Sequence, residues 1–309
     1  MALRKKEYNR KKDYNKRYTS LEEQINILKS HGLIINDEEN AKKILRAIGN
    51  YRLGFYLYPF ELTYPYLDAR RKHKLKENIK IEDAEALYYF DVDLRNILNQ
   101  YISMIEIALR NTIIYELSSK YKHNPFWFVD NKVISRSFIL NFESAAYSSI
   151  RKHLPIQRHH KKYKGHYAPA WKTIEYLTLG NIESLYDSLL LDNDKKLISN
   201  QFGEPATATF KSYLSAIREV RNACAHGNMV FGIKLSSGIR AGAACNSFPG
   251  NTNQTFHGAL RVIDFMLSAI SESSRLKMWD QLREAAKILF NKCAHVKEYI
   301  EGETGILIS

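Results

Sequence analysis

From Ile81 onward, apolar residues return every three or four positions for about 38 residues, with no glycine or proline to interrupt them. Leu87, Phe90, Leu94, Ile97, Leu98, Tyr101, Ile105, Ala108, Leu109, Ile113 and Leu117 carry the pattern. At 1.5 Å per residue such a helix spans more than ~50 Å, so it must form the axis of a helical bundle. Asp91/Arg95 and Glu106/Arg110 stand four residues apart along it, where each pair can bridge on one face.

The remaining segments also read as helical, with no strand-rich region and no internal repeat. Thr19 or Ser20 followed by Glu22 and Glu23 resembles a capping box, and His31-Gly32 closes that helix. Asn36 or Asp37 opens a second one, with Ala41, Ile44, Leu45 and Ile48 on one side. The aromatic-rich YRLGFYLYPFEL that follows reads as a buried connector ending near Pro59, and Arg70, Arg71, Lys72, Lys74 and Lys76 make a basic run after it. Beyond Asn124-Pro125 the pattern predicts a helix from Phe138 to Ile150 and an irregular stretch over 151–169. A helix from Trp171 to Leu191 is expected to break at Gly180-Asn181, and the next runs from Thr207 to His226, closed by Gly227. Residues 236–255 are a loop by composition, and helices are expected from Phe256 to about Ala269 and from Leu276 to Ile300. The expected fold class is all-α, a bundle with a smaller helical N-terminal region. The expected segments are a basic arm (1–18), the N-terminal region (19–80), the main helical domain (81–272) and a C-terminal helix and tail (273–309).

A net charge of +13 favours polyanionic partners, nucleic acid before an anionic membrane surface. The basic arm holds Arg10, Lys11 and Lys12 among eight cations and reads either as a solvated terminus or as a phosphate-binding tail. The stretch 151–166 contains Arg151, Lys152, Arg158, Lys161, Lys162 and Lys164 with no acid, and reads either as a phosphate-facing loop or as a solvated one. Its four histidines match no ordinary zinc spacing. Three scattered cysteines indicate neither a disulfide framework nor a metal site, which suits a reducing, cytoplasmic setting. No apolar run reaches the length of a membrane span, and the N-terminus lacks the apolar core of a secretory signal. No cofactor and no metal is expected.

The chemically informative segment is SAIREVRNACAHGN, residues 215–228. Arg221 and His226 are five residues apart, about 140° around an ideal helix, so they can converge only where the helix ends. Gly227 supplies that end. Asn222 and His226 share a face at i, i+4, and Arg218 joins the stripe one turn earlier. The residue types suit RNA cleavage. A ribose 2′-hydroxyl needs a base of near-neutral pKa, which histidine supplies. The crowded phosphate needs a fork-shaped permanent cation, which arginine supplies. Asn222 can orient the imidazole or hold a phosphate oxygen. One motif offers one histidine, so two chains meeting across a two-fold axis would give two proton-transfer groups, which predicts a homodimer. The same three residues could also simply cap a helix.

The blocks LEEQINILKSHGLIINDEENAKKIL (21–45), YRLGFYLYPF (51–60), LYYFDVDLRNILNQYISMIEIALRNTI (87–113), APAWKTIEYLTLGNIESLY (168–186) and IREVRNACAHGN (217–228), in that order, resemble the Abi-like family of abortive-infection proteins, the AbiD/AbiF group within the HEPN superfamily. The resemblance covers roughly residues 19–270. It implies a HEPN-type helical bundle with Arg221 and His226 as the R-x4-H pair and Asn222 as its polar companion. Glu106 and Arg110 fall in the family's long-helix motif as supporting residues; Arg218 is taken as a third supporting residue from its place on the helix stripe alone. It further implies a toxin that cuts RNA without a metal, often as a dimer, with a small structured RNA restraining some relatives. The chain departs from the family pattern in loop 236–255, which is richer in Gly, Ser and Asn. An alternative is a module that holds a structured RNA and cuts nothing. A third reading makes the helices at 19–48 a DNA-binding unit.

Overall fold

The computed structural model describes residues 17–66 and 71–308. By contact the chain divides into two compact units, residues 1–85 and 86–309. Arg10, Lys11 and Lys12 lie outside the described residues, as does Arg70.

The first unit contains α1 (Leu21–Ser30), α2 (Glu38–Ile48) and α3 (Asn50–Leu57). Ser20 accepts from the Glu23 amide while Glu23 returns a bond to the Ser20 amide, so the capping box forms as its sequence predicts. Asp37 caps α2 through the Asn40 amide. The stretch expected as a buried connector is instead helical over residues 50–57, burying Leu53, Tyr56 and Leu57 and leaving Tyr51 and Phe55 exposed. An isolated bridge joins Glu61 to Leu75, and α4 (Ile81–Lys120) begins in this unit.

In the second unit α4 continues without a break. Leu87, Phe90, Leu94, Leu98, Tyr101, Ile105, Leu109, Ile113 and Leu117 are all buried, so the spacing that marked the helix is also its core stripe. The predicted 138–150 helix is α5 (Arg136–Phe142) followed by a π turn (Glu143–Tyr147) and α6 (Ser148–Ile150). The stretch read as irregular contains α7 (Leu154–Lys162), with Pro155 in the first turn where its missing N–H costs nothing. α8 (Ala170–Thr173) and a 3-10 turn lead to α9 (Leu179–Ser188). The break expected at Gly180-Asn181 falls instead at Leu177-Thr178, because Thr178 and Asn181 form a capping box and draw the glycine into the first turn. α10 (Asp192–Ser199), α11 (Thr207–Ala225) and α12 (Phe256–Ile270) follow. The single C-terminal helix expected is two, α13 (Glu272–Lys292) and α14 (Lys297–Thr304), parted at Cys293.

α11 packs against α9, α10 and α12 through Phe210, Tyr213, Leu214, Ile217 and Val220, and α12 packs on α13 and α14. Among the described residues the regular elements are helices, with only isolated β-bridges, so the chain is all-α. No described helix is long and apolar enough to cross a membrane.

Candidate functional site

α11 ends where the sequence places its chemistry. His226 is the C-cap, and its amide donates to the Asn222 carbonyl at 3.0 Å. Gly227 takes the left-handed conformation (φ +66°). Its amide reaches back to the Cys224 carbonyl, and the Asn228 amide reaches the Ala223 carbonyl at 2.9 Å. This double closure satisfies the last orphan carbonyls and turns the chain sharply, leaving the imidazole of His226 on the surface. Among the described residues no hydrogen bond links that ring, or the Asn222 side chain, to another group. Asn222 itself is half-buried.

Arg221 points to α4. Its Nε lies 3.8 Å from Glu106 Oε2, an ion pair too long for a hydrogen bond, and its side chain is 35% exposed. The other Glu106 oxygen accepts from Arg110 Nη2 at 2.6 Å, and Arg110 also donates from Nε and Nη2 to the Leu177 carbonyl at 3.0 and 2.8 Å. The buried Glu106 carboxylate therefore holds two guanidiniums. Arg110 is fixed by the backbone before α9, and Arg221 is left loosely held and partly open to solvent. Arg218 is engaged elsewhere. It forms a close ion pair with Glu183 of α9 and reaches Ser215 Oγ, so it ties α11 to α9 and does not extend a stripe toward His226.

Two further residues shape this corner. Asp91 is fully buried, pairs with Arg95, and accepts from the amides of Val230 (2.8 Å) and Phe231 (3.4 Å). Arg95 donates to the Asn228 carbonyl at 3.3 Å. The D-x-x-L-R spacing on α4 marks the pair in the sequence, but nothing local says that its target is the strap after His226. The partners pair 91 with 230, 95 with 228 and 106 with 221, so α4 runs antiparallel along the end of α11. Burial and the charge of Asp91 push the Cys224 thiol up to about 12, which keeps it protonated and unreactive beside the site.

Loop 236–255 lies on the other side of α11. Ser236 bonds Glu219, the Arg240 amide donates to Ser212 Oγ, and the Ala243 amide donates to the buried Glu204 carboxylate at 2.8 Å. A Cβ on Gly242 would collide with Glu204, Thr209 and Tyr213, which explains a glycine there. The small residues let this loop lie flat on α11. They leave the turn after His226 undisturbed.

The basic residues at 151–164 occupy the surface of α7 and its flanks. Arg158, Lys161, Lys162 and Lys164 are exposed, as is Lys152, and Arg151 is half-buried. An open pocket of about 950 Å³ is lined by Arg151, His160, Lys161, Lys162, Lys164 and His166. The four histidines do not converge. His153 stacks on Tyr176, His159 lies against Tyr163, and His160 and His166 lie against Tyr147. Tyr147 accepts from the Ala168 amide and so donates its own proton to His160 Nε2 at 2.9 Å. Burial and the nearby Arg151 hold His160 below its ordinary pKa, so it serves as a neutral acceptor that fixes α7.

The model for a family described as Abi-like protein matches residues 43–232, which includes α4, Arg221 and His226. No curated protein and no solved structure matches the chain.

Proposed function

Because the chain belongs to the Abi-like protein family, we propose that it is an abortive-infection protein of HEPN type, an endoribonuclease toxin that halts growth during phage infection. The observation that carries the reading is the end of α11. An exposed imidazole and a half-exposed arginine flank the same sharply terminated helical turn; the arginine faces Glu106 of α4, and the strap after His226 is tied to Asp91 of the same helix.

His226 takes the proton from a ribose 2′-hydroxyl, and the freed oxygen attacks the adjacent phosphorus. The P–O bond to the 5′-oxygen breaks, and that oxygen leaves with a proton from a second donor. The products are a 2′,3′-cyclic phosphate and a 5′-hydroxyl. Arg221 offers its guanidinium to the non-bridging oxygens, where charge gathers in the transition state. Glu106 keeps Arg221 oriented without engaging it in a tight hydrogen bond. Asn222, on the same turn, is placed to orient the phosphate or the imidazole. The residues supply this chemistry without requiring a metal. The second proton donor is His226 of another copy. A two-fold axis would use the exposed, uncharged stripe Ser103, Ile107, Asn111 and Tyr115 on α4, which borders Glu106 and Arg110. Arg158, Lys161, Lys162 and Lys164 grip RNA through phosphates, and a small structured RNA held there would restrain the toxin.

The test is expression of the parent beside His226→Ala and Arg221→Ala, with purified proteins assayed on RNA. Each substitution should lower cleavage by about 100-fold or more and relieve toxicity. If both variants cut RNA and arrest growth like the parent, the nuclease reading fails. An intact RNA that copurifies with no new ends would leave the protein a structured-RNA-binding module.

A further inference from the structure

Two sequence features of the first unit play no part in this chemistry, the aromatic run at 51–60 and the basic run after it. The fold brings the start of the first, Tyr51 and Phe55, to one pocket with Arg71 of the second. A cavity of about 410 Å³, within the range of small-ligand sites, is lined by Tyr51 and Phe55 of α3, by His31 after α1, and by Arg71, His73 and Leu75. Tyr51 is 84% exposed, and its ring meets Phe55 edge-on at 5.1 Å, so an aromatic face stands open at the mouth. Both rings stand exposed on a short helix whose third aromatic, Tyr56, is fully buried.

The opposite wall is rigid. Leu75 donates its amide to the His31 carbonyl at 2.9 Å, Lys76 to the Phe60 carbonyl at 2.8 Å, and the Leu62 amide returns to the Lys74 carbonyl at 2.8 Å. Arg71 forks onto the buried Glu61 with bonds of 2.9 and 2.7 Å, and His73 Nδ1 reaches the same carboxylate at 3.1 Å. His73 holds a left-handed backbone (φ +54°), rare for a residue with a side chain, and stacks on His31 at 5.9 Å. Burial lowers the His31 pKa, with His73 next in effect, so this ring presents a neutral hydrogen-bonding edge. Lys72 and Lys74 alternate with the lining residues Arg71, His73 and Leu75, and Lys76 follows them; all three lysines are exposed beside the pocket, and 71–76 contains no acid.

We propose that this pocket binds single-stranded RNA, with one base stacked on Tyr51 against Phe55 and the flanking phosphates on Lys72 and Lys74. Stacking suits any unpaired base because every base has a flat π-face, whereas a duplex hides those faces. Alternating cations along a fixed segment match a backbone that carries one charge per nucleotide. The inference takes from the proposed function only that the partner is RNA, and it does not need the protein to cut.

The test uses the full chain carrying His226→Ala and an eight-nucleotide unstructured RNA with a central 2-aminopurine, followed by fluorescence and anisotropy. Binding should quench the 2-aminopurine. Tyr51→Ala should abolish the quench and weaken binding roughly tenfold, while Tyr51→Phe retains both. Lys72→Gln with Lys74→Gln should lower the slope of log affinity against log salt by about one to two. Equal quenching and affinity in Tyr51→Ala, or equally tight binding of the duplex form, overturns the proposal. So does a Tyr51→Ala variant that loses self-association in sedimentation but binds RNA like its parent, which would make this face a protein contact. A parent chain that cuts RNA while Tyr51→Ala changes nothing refutes this pocket and leaves the nuclease reading standing. Tyr51-dependent quenching without any cleavage by the parent does the reverse.

Discussion

Asp91 is the residue on which the His226 corner depends most. Its carboxylate is wholly buried and answers three donors, the amides of Val230 and Phe231 and the Arg95 guanidinium. Alanine there would orphan two amides and a buried cation together. Asp91→Ala should cost about 3–5 kcal/mol, read from urea midpoints at constant m-value. Gly227 makes a smaller, conformational contribution. Its φ of +66° is open to glycine and costly for a residue with a Cβ, so Gly227→Ala should lose about 1–2 kcal/mol and fray the last turn of α11. The sequence singles out Arg221 as a candidate phosphate ligand, but it does not show the residue's partner within the chain. Glu106 is 115 residues away along the chain, and only packing brings the two within ion-pair distance.

At the scale of elements, α4 is a rigid ruler. Asp91 and Glu106 are fifteen residues apart, about 22 Å along the axis and about 60° around it, so both face α11. One helix thus sets the distance between the strap after His226 and the arginine before it. Its core stripe was readable from spacing alone, because a 3.6-residue period leaves the same residues facing inward turn after turn. Leu98→Ala, at a fully buried position midway between the two anchors, should cost about 2–5 kcal/mol. If the two anchors act through a rigid α4, the same change should reduce RNA cleavage beyond what the unfolded fraction explains. Parallel melts and rates at matched stability check this. α7 was one of the helices the sequence missed, with α3 and α10. Its proline, basic residues and histidines read as irregular, yet contacts with Tyr147 and Tyr176 hold the helix in place. Tertiary packing overrode a weak local signal there.

For the whole molecule, acid and self-association are the informative perturbations. Burial pushes the Glu61 carboxyl up, and the hydrogen bonds of Arg71 and His73 more than reverse that, leaving it below its ordinary value. A carboxyl depressed in the folded state adds stability above its unfolded pKa, near 4.3, and loses it as pH falls through the folded value. The parent should therefore lose thermal stability below about pH 4.3 through this group, and Glu61→Gln should flatten that part of the curve while lowering stability at pH 7. The proposed two-fold contact makes a separate demand. Ile107 and Tyr115 are 53% and 73% exposed on α4, with Asn111 between them. Ile107→Glu would place a like charge against its own copy at a symmetric interface, so it should shift a dimer to monomer in sedimentation equilibrium and reduce cleavage with it. A dimer unaffected by the change would remove α4 from the interface.

What the sequence determined by itself was local. Periodicity gave the long helices, capping residues gave the starts of α1 and α2, and Gly227 gave the turn that exposes His226, because each depends on neighbours within about four residues. Only the tertiary structure decided which charges meet. It sent Arg218 to Glu183 and Arg221 to Glu106, set Asp91 under the strap after His226, and opened Tyr51 beside the basic run. Those pairings join residues distant in the chain, and a charge carries no local mark of the partner that packing will bring to it.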